Sequence, residues 1–242
     1  AGILASVDAK VDRAIDPNAP LVMVVGDSVP LLLGAEMSQQ TNELGVSVIN
    51  RSVPGCHLLS SIGPVRRTEG NVRTDVADCT AGGQYRKDAK RYRPDVSVVL
   101  FGEFPNQAVQ IDGRWSMPCE STYLDATKDK LTTLATDLTS AGGKVVLVTA
   151  PGSSLSWLVE RVEPGMEERV ACTNALLSDV AQAVSGTTVV DFASFICPPG
   201  QKCKESVEGV NLRVDGLHFE GEGAAYANRW LIPRVLESAG LN

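Results

Sequence analysis

Ser28, Asp215 and His218 together supply a nucleophile, a carboxylate and a base. Ser28 stands in Gly26-Asp27-Ser28, directly after the apolar run Leu21 to Val25, and Asp215-Gly216-Leu217-His218 lies near the other end. A serine hydroxyl is a poor nucleophile until a base takes its proton, and imidazole, with an unperturbed pKa of ~6.5, suits that task near neutrality. A carboxylate three residues before the histidine can hold the ring's Nδ1–H and turn Nε2 toward the serine. Together they describe acyl transfer through a covalent acyl-serine. Each residue also has a plainer use: Ser28 as a helix cap, Asp215 as a turn former before Gly216, His218 as a half-buried polar group. Their joint presence in a chain with only two histidines favours the catalytic use.

Elements able to bring these residues together are legible as alternating runs. Leu21 to Val25, Val46 to Ile49, Val96 to Phe101, Val145 to Thr149 and Thr187 to Val190 are short, apolar and rich in β-branched residues, as strands buried on both faces of a parallel sheet are. Between them lie helical stretches: Pro30 to Leu44, Gly83 to Tyr92, Ser121 to Ala141, Gly165 to Val184 and Gly221 to Ser238. The βαβα order predicts an α/β sandwich around a central parallel sheet. Reactive groups of such sheets gather at the carboxyl ends of the strands. Gly26-Asp27-Ser28, Arg51 to His57, Gly102 to Gln107 and Pro151 to Ser156 all fall there, and the Asp215 loop precedes the last helix. Residues 1–20 are expected to form a lead-in helix and a Pro-marked linker, and residues 21–242 a single domain.

The chain has 242 residues, 43% hydrophobic and 21% charged, with a net charge of −7. That suffices for one well-buried domain. The acidic balance argues against a nucleic-acid partner, which needs clustered Lys and Arg. The basic stretch Arg86 to Arg93 contains Asp88 and reads as a solvated helix face. No apolar segment nears the ~20 residues of a membrane-spanning helix. Six cysteines without C-x-x-C pairs favour disulfides over zinc, hence an oxidising, extracytoplasmic compartment. Many pairings are open. The expectation taken here joins Cys197 to Cys203, the closest pair, then Cys56 to Cys79 and Cys119 to Cys172. Ala1 to Lys10 lacks the basic start of a signal peptide, so a mature form or an excised piece of a membrane protein is expected. No metal site, phosphate loop or cofactor motif is found, and none is expected.

Gly26-Asp27-Ser28 and Asp215-x-x-His218 resemble the first and last blocks of the SGNH (GDSL) hydrolase superfamily. Asn50-Arg51-Ser52-Val53-Pro54-Gly55-Cys56 is similar to its second block. The resemblance implies a flavodoxin-like three-layer sandwich, with Ser28 as nucleophile, His218 as base and Asp215 as its orienter. It also implies an oxyanion hole made by the N–H groups of Ser28 and Gly55. The third block departs: where the family shows Gly-x-Asn-Asp, this chain reads Gly102-Glu103-Phe104-Pro105-Asn106-Gln107. Phe104 takes the asparagine register; Asn106 or Gln107 is the candidate replacement donor, with a solvated loop amide as the favoured, plainer reading. Loss of one such donor typically reduces turnover by ~10²–10³.

The divergent third block, the Val-Pro-Gly-Cys second block and the extra cysteines resemble the extracytoplasmic SGNH domains fused to actinobacterial acyltransferase-3 membrane proteins. That implies an O-acyltransferase module moving an acyl group, often acetyl, from a donor to a cell-envelope glycan beside a fused or partner membrane domain. A secreted ester hydrolase of the same superfamily and an impaired glycan-binding domain remain as alternatives. His57, Trp115, Trp157 and Glu103 lie near the same edge. A loop or packing role is expected for the first three, and a capping or solvated role for Glu103.

Overall fold

Alternate residues of the five apolar runs go to two separate hydrophobic clusters, which is why those runs lack polar interruptions. The computed structural model describes residues 16, 18–67, 72–102, 107–152 and 165–241. Its elements are β1 (Leu21–Gly26), α1 (Ser28–Met37), α2 (Thr41–Leu44), β2 (Ser47–Asn50), β3 (Val65–Arg67), β4 (Val72–Arg73), α3 (Gln84–Tyr92), β5 (Val96–Leu100), β6 (Gln107–Ile111), β7 (Arg114–Ser116), α4 (Ser121–Thr139), β8 (Lys144–Val148), α5 (Met166–Ala183), β9 (Thr187–Val190), α6 (Phe192–Ile196), β10 (Ser206–Val207), β11 (Val210–Asn211) and α7 (Gly221–Ala239). Five strands form a parallel sheet in the order β2-β1-β5-β8-β9. Val22, Val24, Val98 and Val146 meet α1 and α7 through Leu33, Leu231 and Val235. Met23, Val25, Val99 and Leu147 meet Tyr85, Leu131, Leu134 and Val180 on the other face. This is the expected three-layer α/β sandwich.

The chain leaves β1 toward the β2 edge and then crosses back to β5. The carboxyl ends of β1 and β5 therefore flank the point where strand order reverses, the usual ligand crevice of such sheets. Ser28 sits at that point.

Three features differ from expectation. The first helix starts at Ser28 rather than Pro30, because the Asp27 side chain accepts the N–H of Val29 and caps it. It also stops at Met37, with α2 separate. Ser38 Oγ bonds Gly34 O and the amides of Gln39 and Gln40 both turn back to Glu36 O, while Asn228 of α7 donates to Leu33 O and Gln40 Oε1 across this turn. Finally, a small antiparallel sheet in the order β4-β3-β6-β7 was not legible. Its strands are short and mix Arg and Gln with Val, although Val65, Val109 and Ile111 join the core. The expected lead-in helix falls on residues that lie mostly outside the described ones. Asp16 does rest against the sheet, its N–H bonded to Ser47 Oγ at 2.8 Å.

Cys56–Cys79, Cys119–Cys172 and Cys197–Cys203 form disulfides, the pairing expected. They fit an oxidising, extracytoplasmic compartment. Among the described residues no helix is long and apolar enough to cross a membrane. The first bridge closes a span of 23 residues behind Gly55. Replacing Cys56 and Cys79 together by serine should lower unfolding stability by about 2–4 kcal/mol, measured as the shift in urea midpoint. An unchanged midpoint would show that the bridge does not hold this loop.

Candidate active site

The site begins with a close approach of two strand ends. Gly26 has φ 144°, and a Cβ there would stand 1.7 Å from Leu100 O, so only glycine lets β1 and β5 run together at this point. Asp27, 1% exposed, follows. One of its carboxylate oxygens accepts the N–H of Val29 at 3.0 Å and the other the N–H of Gly102 at 2.8 Å. A single side chain thus caps α1, where the helix dipole favours negative charge, and ties it to the end of β5. Because Asp27 serves as the cap, the Ser28 hydroxyl is left to meet a different partner.

That partner is His218. Ser28 Oγ lies 2.8 Å from His218 Nε2, across 190 residues of sequence, and His218 Nδ1 lies 2.5 Å from Asp215 Oδ2. The second carboxylate oxygen of Asp215 accepts the N–H groups of Leu217 and His218 at 2.8 and 2.7 Å. Burial alone pushes the Asp215 carboxyl up, but the bonds from the His218 ring and from the two amides outweigh it and hold it down at about 2. An ionised Asp215 keeps the hydrogen of the neutral ring on Nδ1, which leaves the Nε2 lone pair facing the serine. Leu217 and Phe219, both buried, fix the loop from either side of the imidazole.

The second loop runs beside this pair. Arg51 and Val53 donate their amides to Val24 O and Gly26 O, each at 2.8 Å, so the loop continues the edge of β1. Pro54 and Gly55 form a turn in which Gly55 takes φ 67° and is exposed, with Cys56 N returning to Val53 O. The loop is anchored from behind by the Cys56–Cys79 bridge and by Arg51, whose Nε meets Asp88 Oδ2 at 2.8 Å. Tyr85 adds a bond from its hydroxyl to Arg51 O. Asp88 is therefore a buried anchor, not part of a solvated face as expected for its stretch. At the start of α1, the N–H of Ser28 is one of the first amides a helix leaves without an internal acceptor, and the Asp27 side chain takes that of Val29 instead. The Ser28 N–H thus opens the helix N-terminus beside its own hydroxyl. Asn106 and Glu103 lie outside the described residues, and Gly102 N is already engaged by Asp27.

The structure brings Ser28, His218 and Asp215 into one chain of contacts and sets the Gly55 loop along the same strand end. His57 is buried, its Nδ1 accepting from Leu59 N at 3.0 Å and its own N–H bonded to Ala77 O, a packing role. Trp115 lies on β7 under the Arg66 guanidinium, and Trp230 stacks on Phe195 at 4.3 Å. Trp157 lies outside the described residues. Among the described residues no group of His, Cys, Asp and Glu is arranged to hold a metal. Nothing in the sequence marked the second bond of Asp27, the Arg51–Asp88 anchor, or Arg213, which is buried two residues before Asp215. Their partners lie 75, 37 and 61 residues away, beyond any local pattern.

A doubly wound parallel sheet with a serine, a histidine and an aspartate joined at its switch point is the architecture of an SGNH hydrolase domain. The chain belongs to the family described as the SGNH domain fused to AT3 domains, whose model matches residues 6–233. Similar solved structures include a lipase/acylhydrolase from Enterococcus faecalis, 18% identical over 89% of this chain and 95% of that one, with a TM-score of 0.56. A GDSL-like lipase from Bacteroides thetaiotaomicron is 14% identical over 90% and 88%, with a TM-score of 0.56. An acetyl xylan esterase from Geobacillus stearothermophilus is 15% identical over 94% and 97%, with a TM-score of 0.52. At these identities the likeness is one of fold. No curated protein matches the sequence.

Proposed function

We propose that this domain is a serine-dependent O-acyltransferase module that carries an acyl group, acetyl in the simplest case, on Ser28 and delivers it to a hydroxyl of a cell-envelope glycan. The observation that carries the reading is the 2.8 Å contact between Ser28 Oγ and His218 Nε2, backed by Asp215. His218 takes the Ser28 proton as Oγ attacks the carbonyl of an acyl donor, and the N–H groups of Ser28 and Gly55 receive the developing oxyanion. Collapse expels the leaving group with the proton from His218, leaving an acyl-serine. A glycan hydroxyl, deprotonated by the same imidazole, then attacks and frees Ser28. Membership of a family described by its fusion to AT3 domains supports a membrane acyltransferase domain, fused or associated, as the source of the acyl group. It likewise supports a tether that keeps this domain at the outer membrane face.

Water in place of the glycan would make the same machinery an ester hydrolase. The test supplies p-nitrophenyl acetate with and without simple methyl glycosides as acceptors. Acetylated glycoside should form at the expense of free acetate, and not with Ser28→Ala. Hydrolysis at one rate regardless of acceptor, with no acetyl sugar, would assign the domain to the hydrolases instead.

A further inference from the structure

Arg213 is a buried cation, 7% exposed, in a stretch of coil that also carries the base and its carboxylate. Its Nη1 donates to Gly152 O at 2.6 Å, just beyond the end of β8. Its guanidinium lies over the ring of Phe219 at 5.7 Å, and Phe219 directly follows His218. The carbonyl of Arg213 accepts the N–H of Gly216 at 3.0 Å, closing a turn around Asp215. The Arg213 side chain thus reaches the far end of the 213–219 loop and fastens the loop to the segment that follows β8. We infer that Arg213 is a positioning residue, holding the Asp215–His218 loop against the end of β8 so that the imidazole stays aimed at Ser28.

A guanidinium is an expensive choice for simple packing here. A buried charge is destabilising unless its hydrogen bonds are completed, and Arg213 Nε meets no acceptor among the described residues. Burial draws its pKa down to about 10, against the opposing negative charges of Asp215 and Glu205, so it is still a cation at neutral pH. An apolar residue would fill this space at lower cost. What it could not supply is a cation that bonds a carbonyl in the segment after β8 and lies over the ring of the residue beside His218. Reaction geometry is sensitive to such support, since a displacement of ~1 Å can lower the rate by about 10²-fold.

The inference rests on the acyl-serine reading above, and the experiment separates the two. Arg213→Met and Arg213→Lys are compared with the parent chain on p-nitrophenyl acetate, with kcat expressed per Ser28 titrated by a fluorophosphonate probe. Arg213→Met should lose about 10–10²-fold in kcat per labelled site with KM changed by less than about twofold. Arg213→Lys, which keeps one donor for Gly152 O but not the guanidinium over Phe219, should fall between the two. Parental kcat per labelled site in Arg213→Met would overturn the inference, even with a lowered melting temperature, because the residue would then only support folding. If Arg213→Met does not fold, parental kcat in Arg213→Lys would do the same, and a partial loss there would uphold it. Failure of the probe to label the parent chain would instead sink the acyl-serine reading itself.

Discussion

Ser28→Ala is expected to slow turnover of p-nitrophenyl acetate by about 10⁶-fold while leaving the unfolding midpoint where it is in the parent chain. The substitution removes one oxygen whose partner is His218 Nε2. It leaves the helix start intact, because the cap is Asp27 and its bonds to Val29 and Gly102 do not involve the serine side chain. Loss of activity is therefore loss of the nucleophile and not of the fold. His218→Ala should match it in size, since a nucleophile without its base and a base without its nucleophile are equally idle. The residual rate would come from the amides of Ser28 and Gly55 and from substrate binding. Steady-state rates beside urea titrations make the check. A Ser28→Ala protein that keeps even a tenth of the parental rate would mean the reaction runs elsewhere.

Asp215→Asn has the second largest expected effect, about 10⁴-fold in kcat. The amide can donate to Nδ1 where the carboxylate accepted from it, so the ring hydrogen moves to Nε2 and the base points its wrong face at Ser28. The pH behaviour of the parent chain follows from the same carboxylate. Burial raises its pKa, but the His218 ring and the amides of His218 and Leu217 bring it down from the ordinary 3.8 to about 2. Because the folded value lies below the unfolded one, Asp215 contributes stability above pH 3.8 that fades as pH falls through about 2. It therefore stays ionised through mild acid. In Asp215→Asn the stability gap to the parent should be constant at neutral pH and close in strong acid. A gap that widens on acidification would contradict the bonding described.

The central sheet was legible because a strand buried on both faces has no room for polar residues, and five such runs alternate with amphipathic helices. The small sheet of β3, β4, β6 and β7 was not, since Arg66 and Trp115 face each other across it and no strand exceeds five residues. The Gly55 turn was singled out through family resemblance alone. Its support, the Cys56–Cys79 bridge and the Arg51–Asp88 pair, is assembled from separate loops. The basic stretch around Asp88 shows how composition misleads: charge counted along a helix does not say which acid turns inward.

What the sequence determined by itself is the set of chemical parts and their order along the chain, because strand periodicity and short motifs are local properties of neighbouring residues. It left Ser28 open to use as a helix cap. The folded chain gives that cap to Asp27 and sets His218, 190 residues away, against the Ser28 hydroxyl. Each such contact joins groups brought together by burial of the two faces of the sheet. Packing of the whole chain, and no pattern within one segment, sets which polar groups meet.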